Sequence, residues 1–337
     1  MTNPVLVEIR RGDAIESWHR GALAVLNSAG ETLVALGDTD RAIYPRSAIK
    51  PLQAIPLVES GAAHRFALDD AQISLACASH GGEPMHVLAV QDWLHSLSLD
   101  SSDLACGAHT PLYAPAAAAL LAQGRSATAL HNNCSGKHAG FLTLTRHFGA
   151  AIDGYIERDH AAQLAWRDTL RELADDDLSV RPRGVDGCGI PVIGIPLRSM
   201  ALAMARFADP RGLGPVRSEA VVRIQQALTA EPLMMAGTGR LCTETIHLTQ
   251  GRALIKTGAE GVYAGAVPAS GLGIALKIDD GNRRAADCAI ATVLRRIDAL
   301  HDDEWHQLQP LACPPIENVA GMTVGSTEAA QVLSFSL

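Results

Sequence analysis

A serine and a lysine three positions apart are the most chemically informative pair in this sequence. Ser47 and Lys50 stand in the stretch RSAIKP at 46–51. A spacing of three residues puts both side chains on one face of a helical turn, so a nucleophilic hydroxyl would lie beside a possible base. Because a free lysine has a pKa of about 10.4, the pKa of Lys50 must fall by roughly two to three units before it can accept the Ser47 proton at neutral pH.

Pro51 restricts where this pair can lie in a helix. Proline is tolerated in a first helical turn, whose N–H groups lack partners within the helix, and it disfavours the helical region for the residue before it, here Lys50. We therefore predict that Ser47 lies at a helix N-terminus, where the helix dipole favours a developing anion. The alternative is that S-x-x-K is a common tetrapeptide without a catalytic role.

Two further stretches carry candidate catalytic residues. Lys256 begins KTG on a predicted strand far downstream of S-x-x-K, the order found in the penicillin-recognising enzymes. Ser79 lies where an apolar, strand-like run gives way to SHGG at 79–82, a turn that can expose a hydroxyl and direct backbone N–H groups at an oxyanion. The alternatives are a solvated edge-strand lysine at Lys256 and a surface-turn histidine at His80.

Seven cysteines are scattered along the chain, an odd number that is not typical of a disulfide scaffold. Cys134, in NNCSGKH at 132–138, and Cys188, in DGCGIP at 186–191, each lie beside glycine in a polar turn, a setting for a functional thiol. The sequence has no C-x-x-C pair, so spacing alone is weak support for a shared metal.

The composition indicates an enzyme-sized globular protein with a small-molecule substrate. The 337 residues are 47% hydrophobic and carry a net charge of −8 without a basic run, so we expect no nucleic-acid partner and no membrane partner. Apolar runs are too short for a membrane span, and the first residues lack the features of a signal peptide. We therefore expect a cytoplasmic location.

The elements that must position these residues form three blocks. Strands are predicted over 5–9, 14–27 and 32–36, as an antiparallel edge leading to Ser47. Helices are predicted over 86–97, 115–123, 137–148, 159–174, 198–207 and 216–229. Strands follow over 243–248, 253–257, 261–267 and 271–278, then a helix over 283–300 and strands over 319–324 and 331–337.

This order predicts an α/β fold in a single two-lobed enzyme domain over 1–337. Residues 1–46 and 236–337 would form a mainly antiparallel sheet lobe flanked by helices, and residues 47–235 a mainly helical lobe. We expect the active site in the groove between the lobes.

Six stretches in order resemble the rhizobial-type (class 3) L-asparaginase family, and they span nearly the whole chain: RSAIKP at 46–51, SHGG at 79–82, NNCSGKH at 132–138, DGCGIP at 186–191, GTGR at 237–240 and KTGAEG at 256–261. The resemblance implies a fold like that of serine β-lactamases and glutaminases. It also implies hydrolysis of L-asparagine to L-aspartate and ammonia, and a homodimer.

The resemblance further implies a set of site residues. Two Ser-Lys tandems would fall on Ser47 with Lys50 and on Ser79 with Lys256. A zinc ion would be held by Cys134, Lys137 and Cys188, with Asp186, His138 and Cys242 as near neighbours.

Charge arguments agree with these roles. Lys50 and Lys256 facing one pocket would repel each other as cations, which lowers the pKa of at least one and leaves a neutral amine to accept a serine proton. Ser47 would then attack the substrate amide and form an acyl-enzyme, although the order in which the two serines act is left open.

Substrate binding requires opposite charges for the two ends of a free amino acid. Arg46 and Asp186 are the candidates for the carboxylate and the ammonium group of the substrate, and an exposed ion pair between them is the alternative. His80, Asn133 and His138 are the further predicted substrate-binding residues.

Two other functions remain as alternatives. A β-lactam-acylated serine enzyme shares S-x-x-K and K-T-G but normally carries S-x-N between them, and neither Asn133 nor Ser79 lies in such a sequence. A non-catalytic amino-acid-binding protein would bind asparagine without releasing ammonia.

Overall fold

The computed structural model describes residues 2–337. Twelve strands are found among them: β1 (Val5–Arg11), β2 (Ala14–Asn27), β3 (Thr32–Leu36), β4 (Ala42–Ile43), β5 (Arg183–Val185), β6 (Pro191–Ile193), β7 (Ile195–Pro196), β8 (Leu254–Thr257), β9 (Val262–Val267), β10 (Leu272–Ile278), β11 (Ile316–Glu317) and β12 (Thr323–Ala329). Eight of them form one sheet in the order β11-β12-β1-β2-β10-β9-β8, with β3 also paired to β2. Two small hairpin-like pairs, β4 with β7 and β5 with β6, lie outside it.

The described helices are α1 (Lys50–Gln53), α2 (Ile55–Glu59), α3 (Ala62–Arg65), α4 (Asp70–Ala76), α5 (Pro84–Ser96), α6 (Ala114–Ala122), α7 (Ser135–Phe148), α8 (Ala161–Ala174), α9 (Leu197–Ala208), α10 (Pro215–Ala230), α11 (Pro232–Ala236), α12 (Leu241–Leu248), α13 (Arg283–Arg296) and α14 (Asp302–Ala312). The six helices predicted before residue 230 are all present, and so is the helix predicted from 283. Among residues 2–337, no helix combines the length and the apolar character that a membrane crossing needs.

Strand β2 organises the sheet because it is long enough to pair with three neighbours. Its first half pairs with β1, its second half pairs with β3 on the same side, and β10 pairs with residues 21–27 on the other side. All pairings in the sheet are antiparallel. Strands β1 and β2 therefore lie within the sheet, β3 is an edge strand that pairs only with β2, and β8, which carries Lys256, is at an end of the order.

Helices α9 and α13 pack on this sheet and complete its core. The contact of α9 with β10 depends on Gly273, where a Cβ atom would lie 2.0 Å from the backbone nitrogen of Ala205. The structure confirms the predicted mixed α/β fold with a mainly antiparallel sheet flanked by helices.

Several local predictions are wrong. Residues 243–248 belong to helix α12, in which Leu241, Cys242, Thr245 and Ile246 are buried with helical spacing although β-branched residues suggested a strand. The last strand, β12, begins later than predicted, and Gln331–Leu333 is a short 3₁₀ helix.

The backbone next to both candidate serines also differs from the prediction. Lys50 has helical angles of φ −56° and ψ −35° despite the proline after it. The apolar run before Ser79 is the end of helix α4, which begins with a capping box between Asp69 and Gln72.

Candidate active site

Two lysines meet on one serine in the interior of the protein. The hydroxyl oxygen of Ser79 lies 3.0 Å from Nζ of Lys50 and 2.9 Å from Nζ of Lys256. The exposed fractions are 4% for Ser79, 0% for Lys50 and 1% for Lys256. Buried lysines without a carboxylate partner cost stability, so this arrangement indicates chemistry more than structural support.

Four separate elements bring this cluster together. Lys50 is the first residue of α1, Lys256 lies on β8, and Ser79 follows the end of α4. The backbone N–H of Ser79 donates to the carbonyl oxygen of Met235, which ties the serine to helix α11. The cluster therefore depends on contacts between residues that are far apart in the sequence.

Gly258 allows the turn that precedes α1 to approach β8. The turn is a 3₁₀ helix at Arg46–Ile49, and a Cβ atom on Gly258 would lie 2.8 Å from the carbonyl oxygen of Pro45 and 3.2 Å from the Cβ of Ala48. The glycine of the KTG sequence thus has a packing role, because any side chain there would push the turn away from Lys256.

Ser47 occupies a different position from the one expected for a partner of Lys50. It lies half-buried in the 3₁₀ turn, and within residues 2–337 its hydroxyl forms no hydrogen bond with either lysine. The amine of Lys50 donates instead to the carbonyl oxygen of Ala78, to Ser79 and to the Cys134 thiol. The i, i+3 argument assumed a regular helical turn, whereas Arg46 at the start of this turn has a positive φ of 52°.

The two lysines have different electrostatic roles. Burial, followed by the charge of Lys50, lowers the pKa of Lys256 to about 7. Lys50 has three acceptors, which match the three hydrogens of an ammonium group. Ser79 can therefore accept a hydrogen bond from a charged Lys50 while it donates its own hydrogen to a neutral Lys256.

A thiol cluster adjoins the two lysines. Cys134 precedes helix α7, and its sulfur lies 3.1 Å from Nζ of Lys50. Nζ of Lys137 lies 2.9 Å from the sulfur of Cys188. Burial acts to lower the pKa of Lys137, but the charges of Cys134, Cys188 and Asp186 outweigh it and raise that pKa to about 12.

The two neighbouring thiols differ in acidity. The Cys188 thiol and the charges of Lys50 and Lys137 hold the pKa of Cys134 well below its usual range, whereas the Cys134 thiol and burial raise the pKa of Cys188. Cys134 is thus the thiolate of the pair, and Lys137 is its ammonium neighbour.

The donor set fits a zinc ion only if Lys137 is one of the donors. Residues 2–337 contain no group of three His, Cys, Asp or Glu side chains placed to hold a metal. Cys134, Cys188 and Lys137 nevertheless converge, and thiolates are preferred zinc ligands. Lys137 could bind a zinc ion only after its amine loses a proton. Neighbouring thiolates oppose this loss until the metal ion takes the place of the proton.

Arg46 and Asp186 bind each other. Nε of Arg46 donates to the Asp186 carboxylate over 2.6 Å, and the Gly187 N–H donates to the same oxygen over 2.8 Å. Burial acts to raise the pKa of Asp186, but Lys137 and then Arg46 keep it below its usual value. The Asp186 side chain is only 10% exposed, so the predicted alternative of an ion pair is present, although the pair is not exposed.

His80 is buried, which contradicts the surface-turn alternative. Its Nε2 lies 2.9 Å from the Ser135 hydroxyl, and its Nδ1 accepts the Gly82 N–H. Burial keeps its pKa well below the usual range. Because both ring nitrogens are engaged within the protein, His80 supports the loop that carries Ser79 and has no free atom for a substrate.

The two other predicted binding residues lie beside the thiol cluster. The side-chain oxygen of Asn133 lies 3.2 Å from the Cys134 sulfur. His138 is buried with Nδ1 2.6 Å from the Tyr155 hydroxyl, and its Nε2 has no partner within residues 2–337. Both residues therefore adjoin the site, and neither touches Ser79.

Glu83 and Thr238 form a contact next to the Ser79 loop that the sequence motifs did not predict. The Glu83 carboxylate accepts hydrogen bonds from the backbone N–H and the hydroxyl of Thr238, at 2.9 and 2.7 Å. Gly237, with φ of 103°, leaves room for this carboxylate, since a Cβ atom there would lie 2.2 Å from it. A buried acid directly after SHGG was the available signal, but its partner is 155 positions away.

A cavity of about 420 Å³ lies beside the turn that carries Cys188. Its lining includes Gly189, Trp166 and Val192, and it does not include Ser79, Lys50 or Lys256. The cavity therefore does not identify the reactive centre, which the lysine cluster defines.

The buried serine with its two lysines is a site for nucleophilic catalysis. Residues 7–329 match the family described as L-asparaginase II, so the chain belongs to this family, and it is accordingly a hydrolase that acts on amides. No curated protein matches the chain.

Three solved structures illustrate its similarities. A putative β-lactamase from Bacteroides dorei is 12% identical, with 77% of this chain and 84% of that chain covered and a TM-score of 0.43. A β-lactamase from Mycobacterium bovis is 15% identical, with 79% and 89% covered and a TM-score of 0.39. Simvastatin synthase from Aspergillus terreus is 12% identical, with 79% and 87% covered and a TM-score of 0.39. At these scores the similarities assign no activity to this chain.

Proposed function

We propose that this protein is a rhizobial-type L-asparaginase that hydrolyses L-asparagine to L-aspartate and ammonia. The observation that carries the proposal is Ser79 in contact with both Lys50 and Lys256 inside a member of the L-asparaginase II family. The six stretches that resemble the rhizobial-type enzymes support the narrower assignment.

The proposed reaction starts with a proton transfer from Ser79 to Lys256, because this amine is the neutral base at about pH 7. Ser79 then attacks the side-chain amide carbon of asparagine, and the ammonium group of Lys50 stabilises the tetrahedral oxyanion. Lys256 returns the proton to the leaving nitrogen, ammonia departs, and an aspartyl ester remains on Ser79. Water activated by the same amine hydrolyses the ester.

Ser47 stays the second candidate nucleophile. It lies in the turn directly before Lys50, and it is more exposed than Ser79. Lys50 has its three hydrogen-bond acceptors elsewhere, which leaves Ser47 without a base in contact and favours Ser79 as the residue that forms the ester.

Recognition of a free amino acid is assigned to Arg46 and Asp186. The substrate carboxylate would bind the guanidinium, and the substrate ammonium would bind the carboxylate, so the internal ion pair would give way to two intermolecular ones. Asn133 and His138 are proposed to line the adjoining part of the pocket, and the internal bonds of His80 indicate a supporting role for that residue.

We also propose that Cys134, Lys137 and Cys188 hold a zinc ion. When bound, it would act as a Lewis acid that orients the substrate, and two thiolates would make it a weak activator of water. We expect about one zinc per chain by elemental analysis and a loss of metal in Cys188→Ala, with KM raised more than kcat is lowered. Wild-type protein that is purified fully active but without zinc would contradict the metal proposal, and a kcat abolished by a chelator would contradict the orienting role.

Ammonia release from a panel of amides tests the proposed function. Purified protein is incubated with L-asparagine, L-glutamine, D-asparagine and a chromogenic β-lactam, and Lys256→Met serves as the matched control. We expect release from L-asparagine and almost none with Lys256→Met. Binding of asparagine without ammonia release would favour the amino-acid-binding alternative, and hydrolysis of the β-lactam alone would favour the penicillin-recognising alternative.

The family resemblance is also the basis for proposing a homodimer, and the cytoplasmic location expected from the sequence is kept as a proposal. Sedimentation velocity at several protein concentrations tests the first, and cell fractionation tests the second. A species of one chain's mass at all concentrations would contradict the dimer.

A further inference from the structure

Two cysteines far from the lysine cluster lie in contact with each other. The sulfur atoms of Cys288, in helix α13, and Cys313, directly after helix α14, are 2.8 Å apart, and the two residues are separated by 25 positions. We propose that Cys288 and Cys313 are an oxidation site that forms an intramolecular disulfide when the protein meets a hydroperoxide.

The backbone holds both residues of this pair in place. Cys288 is fully buried in α13, the helix that packs on the sheet. The backbone N–H of Cys313 donates to the carbonyl oxygen of Gln309 over 2.8 Å, and Pro314 after it restricts its conformation. Because both ends are already fixed, a disulfide would form with little movement and little loss of chain entropy in the folded state.

Exposure decides which sulfur reacts first. Cys313 is half-exposed, whereas the other six cysteines are buried, so the peroxide meets Cys313. Its thiolate attacks one oxygen of the hydroperoxide, the O–O bond breaks, and a sulfenic acid forms as water or an alcohol leaves. The sulfur of Cys288 then attacks the sulfenic sulfur and expels water. Two thiols have lost two electrons and two protons, and the peroxide has gained both.

The neighbouring cysteines Cys134 and Cys188 do not offer the same reaction. Both of those thiols are buried, and they belong to the cluster beside the lysines. A count of free thiols alone would not separate the two pairs, so the test must locate the bond.

Peptide mapping locates it. Trypsin releases Cys288 in peptide 285–295 and Cys313 in peptide 297–337, and each peptide contains one cysteine. After treatment with hydrogen peroxide and blocking of free thiols, we expect these two peptides to be joined and to separate on reduction. Unjoined peptides, an irreversibly oxidised Cys313, or a bond between the Cys313 residues of two chains would each overturn the proposal.

The matched control is Cys313→Ser, which removes the half-exposed thiol and leaves the buried one. We expect peroxide to raise the Tm of the wild-type protein by about 5 °C, because the bond closes a loop of roughly 25 residues, and to leave the Tm of Cys313→Ser unchanged. Cys313 lies outside the proposed active site, so the variant should keep its ammonia release before oxidation. An equal rise of Tm in both proteins would contradict the assignment.

Discussion

The reactive centre depends on the different surroundings of its two lysine amines. Lys50 is surrounded by three acceptors, and Lys256 has the carbonyl oxygen of Thr257 and the Ser79 hydroxyl. Each amine stands within one hydrogen bond of the same oxygen, so one can hold a charge while the other accepts a proton. This division of roles gives a serine both a base and an anion-stabilising group without a histidine.

The pH dependence of activity follows from Lys256. Since burial lowers its pKa to about 7, the amine is charged below that pH and neutral above it, and only the neutral form can accept the Ser79 proton. We expect kcat/KM for L-asparagine to rise with pH through an apparent pKa near 7.

Two variants test this assignment. Lys256→Arg, which stays charged, should lose on the order of 10³-fold or more in kcat/KM at every pH. Lys277→Met, on β10 and outside the cluster, serves as the control and should keep the wild-type profile. A profile that is flat between pH 5 and 9 would contradict a neutral Lys256 base.

The types of the residues in the sequence motifs predicted the reactive cluster better than the spacing between Ser47 and Lys50 did. Ser47, Lys50, Ser79 and Lys256 were all named from the sequence, and the charge argument that one lysine lowers the pKa of the other agrees with the structure. The contact of Ser79 with Lys256 was expected from the family resemblance, but its contact with Lys50 could not be predicted, because Ser79 reaches Lys50 through packing of α4 against other helices. Local spacing favoured Ser47, whose turn is not a regular helix.

Close approach of elements sets the geometry of the site. Gly258 on the chain after β8 lies against Pro45 and Ala48, so the turn before α1 and the strand that carries Lys256 move together. The Glu83 carboxylate in turn connects the Ser79 loop to Thr238. These contacts explain why glycines occur within the stretches that hold the reactive residues.

Gly258→Ala tests the contact between the turn and β8. The new methyl group would lie 2.8 Å from the Pro45 carbonyl oxygen, a clash that backbone movement must relieve, and we expect kcat to fall by roughly tenfold or more while Tm falls by only a few degrees. Gly212→Ala, at a glycine whose Cβ would meet nothing within 4 Å, is the matched control. An unchanged kcat in Gly258→Ala would show that the approach does not position Lys256.

The boundaries of helices could be predicted where the helical pattern extends over many residues. Helices α5, α7, α8, α9 and α10 follow the predicted ranges closely, and an apolar face is most distinct in α8 and α9. Part of helix α12 was predicted as a strand, because an eight-residue segment with two threonines and one isoleucine is too short to distinguish the helical period from the strand period. The short pairs β4 with β7 and β5 with β6 had no signal of their own, as they depend on partners elsewhere in the chain.

The protein buries two lysine side chains, at a cost in stability, beside a sheet whose strands come from both ends of the chain. Strands β1, β2 and β3 come from the first 36 residues, and β8 to β12 come from residues after 253. The buried amines lie where these parts meet the central helices. A protein that keeps two lysines at 0% and 1% exposure must offset their desolvation with the rest of its core.

Removing Lys256 should therefore stabilise the protein while it abolishes activity. The unfolded chain binds a proton on this lysine below about 10.5, but the folded chain binds it only below about 7. Between these values stability rises with pH, and at pH 7 the cost is on the order of 4 kcal/mol. We expect Lys256→Met to raise the Tm by several degrees at pH 7, with the gain fading toward pH 10. A Tm below that of the wild type at pH 7 would contradict this cost.

The central claim, that Ser79 is acylated by the substrate amide, is tested most directly by locating the ester. The protein is mixed with excess L-asparagine, quenched in acid within the first turnover and digested with trypsin, which places Ser79 in peptide 66–125 and Ser47 in peptide 47–65. Our account predicts an aspartyl group on peptide 66–125, attached at Ser79 and absent in Ser79→Ala. An aspartyl group on peptide 47–65 would contradict the choice of serine, and active protein without any ester in either peptide would contradict the covalent mechanism.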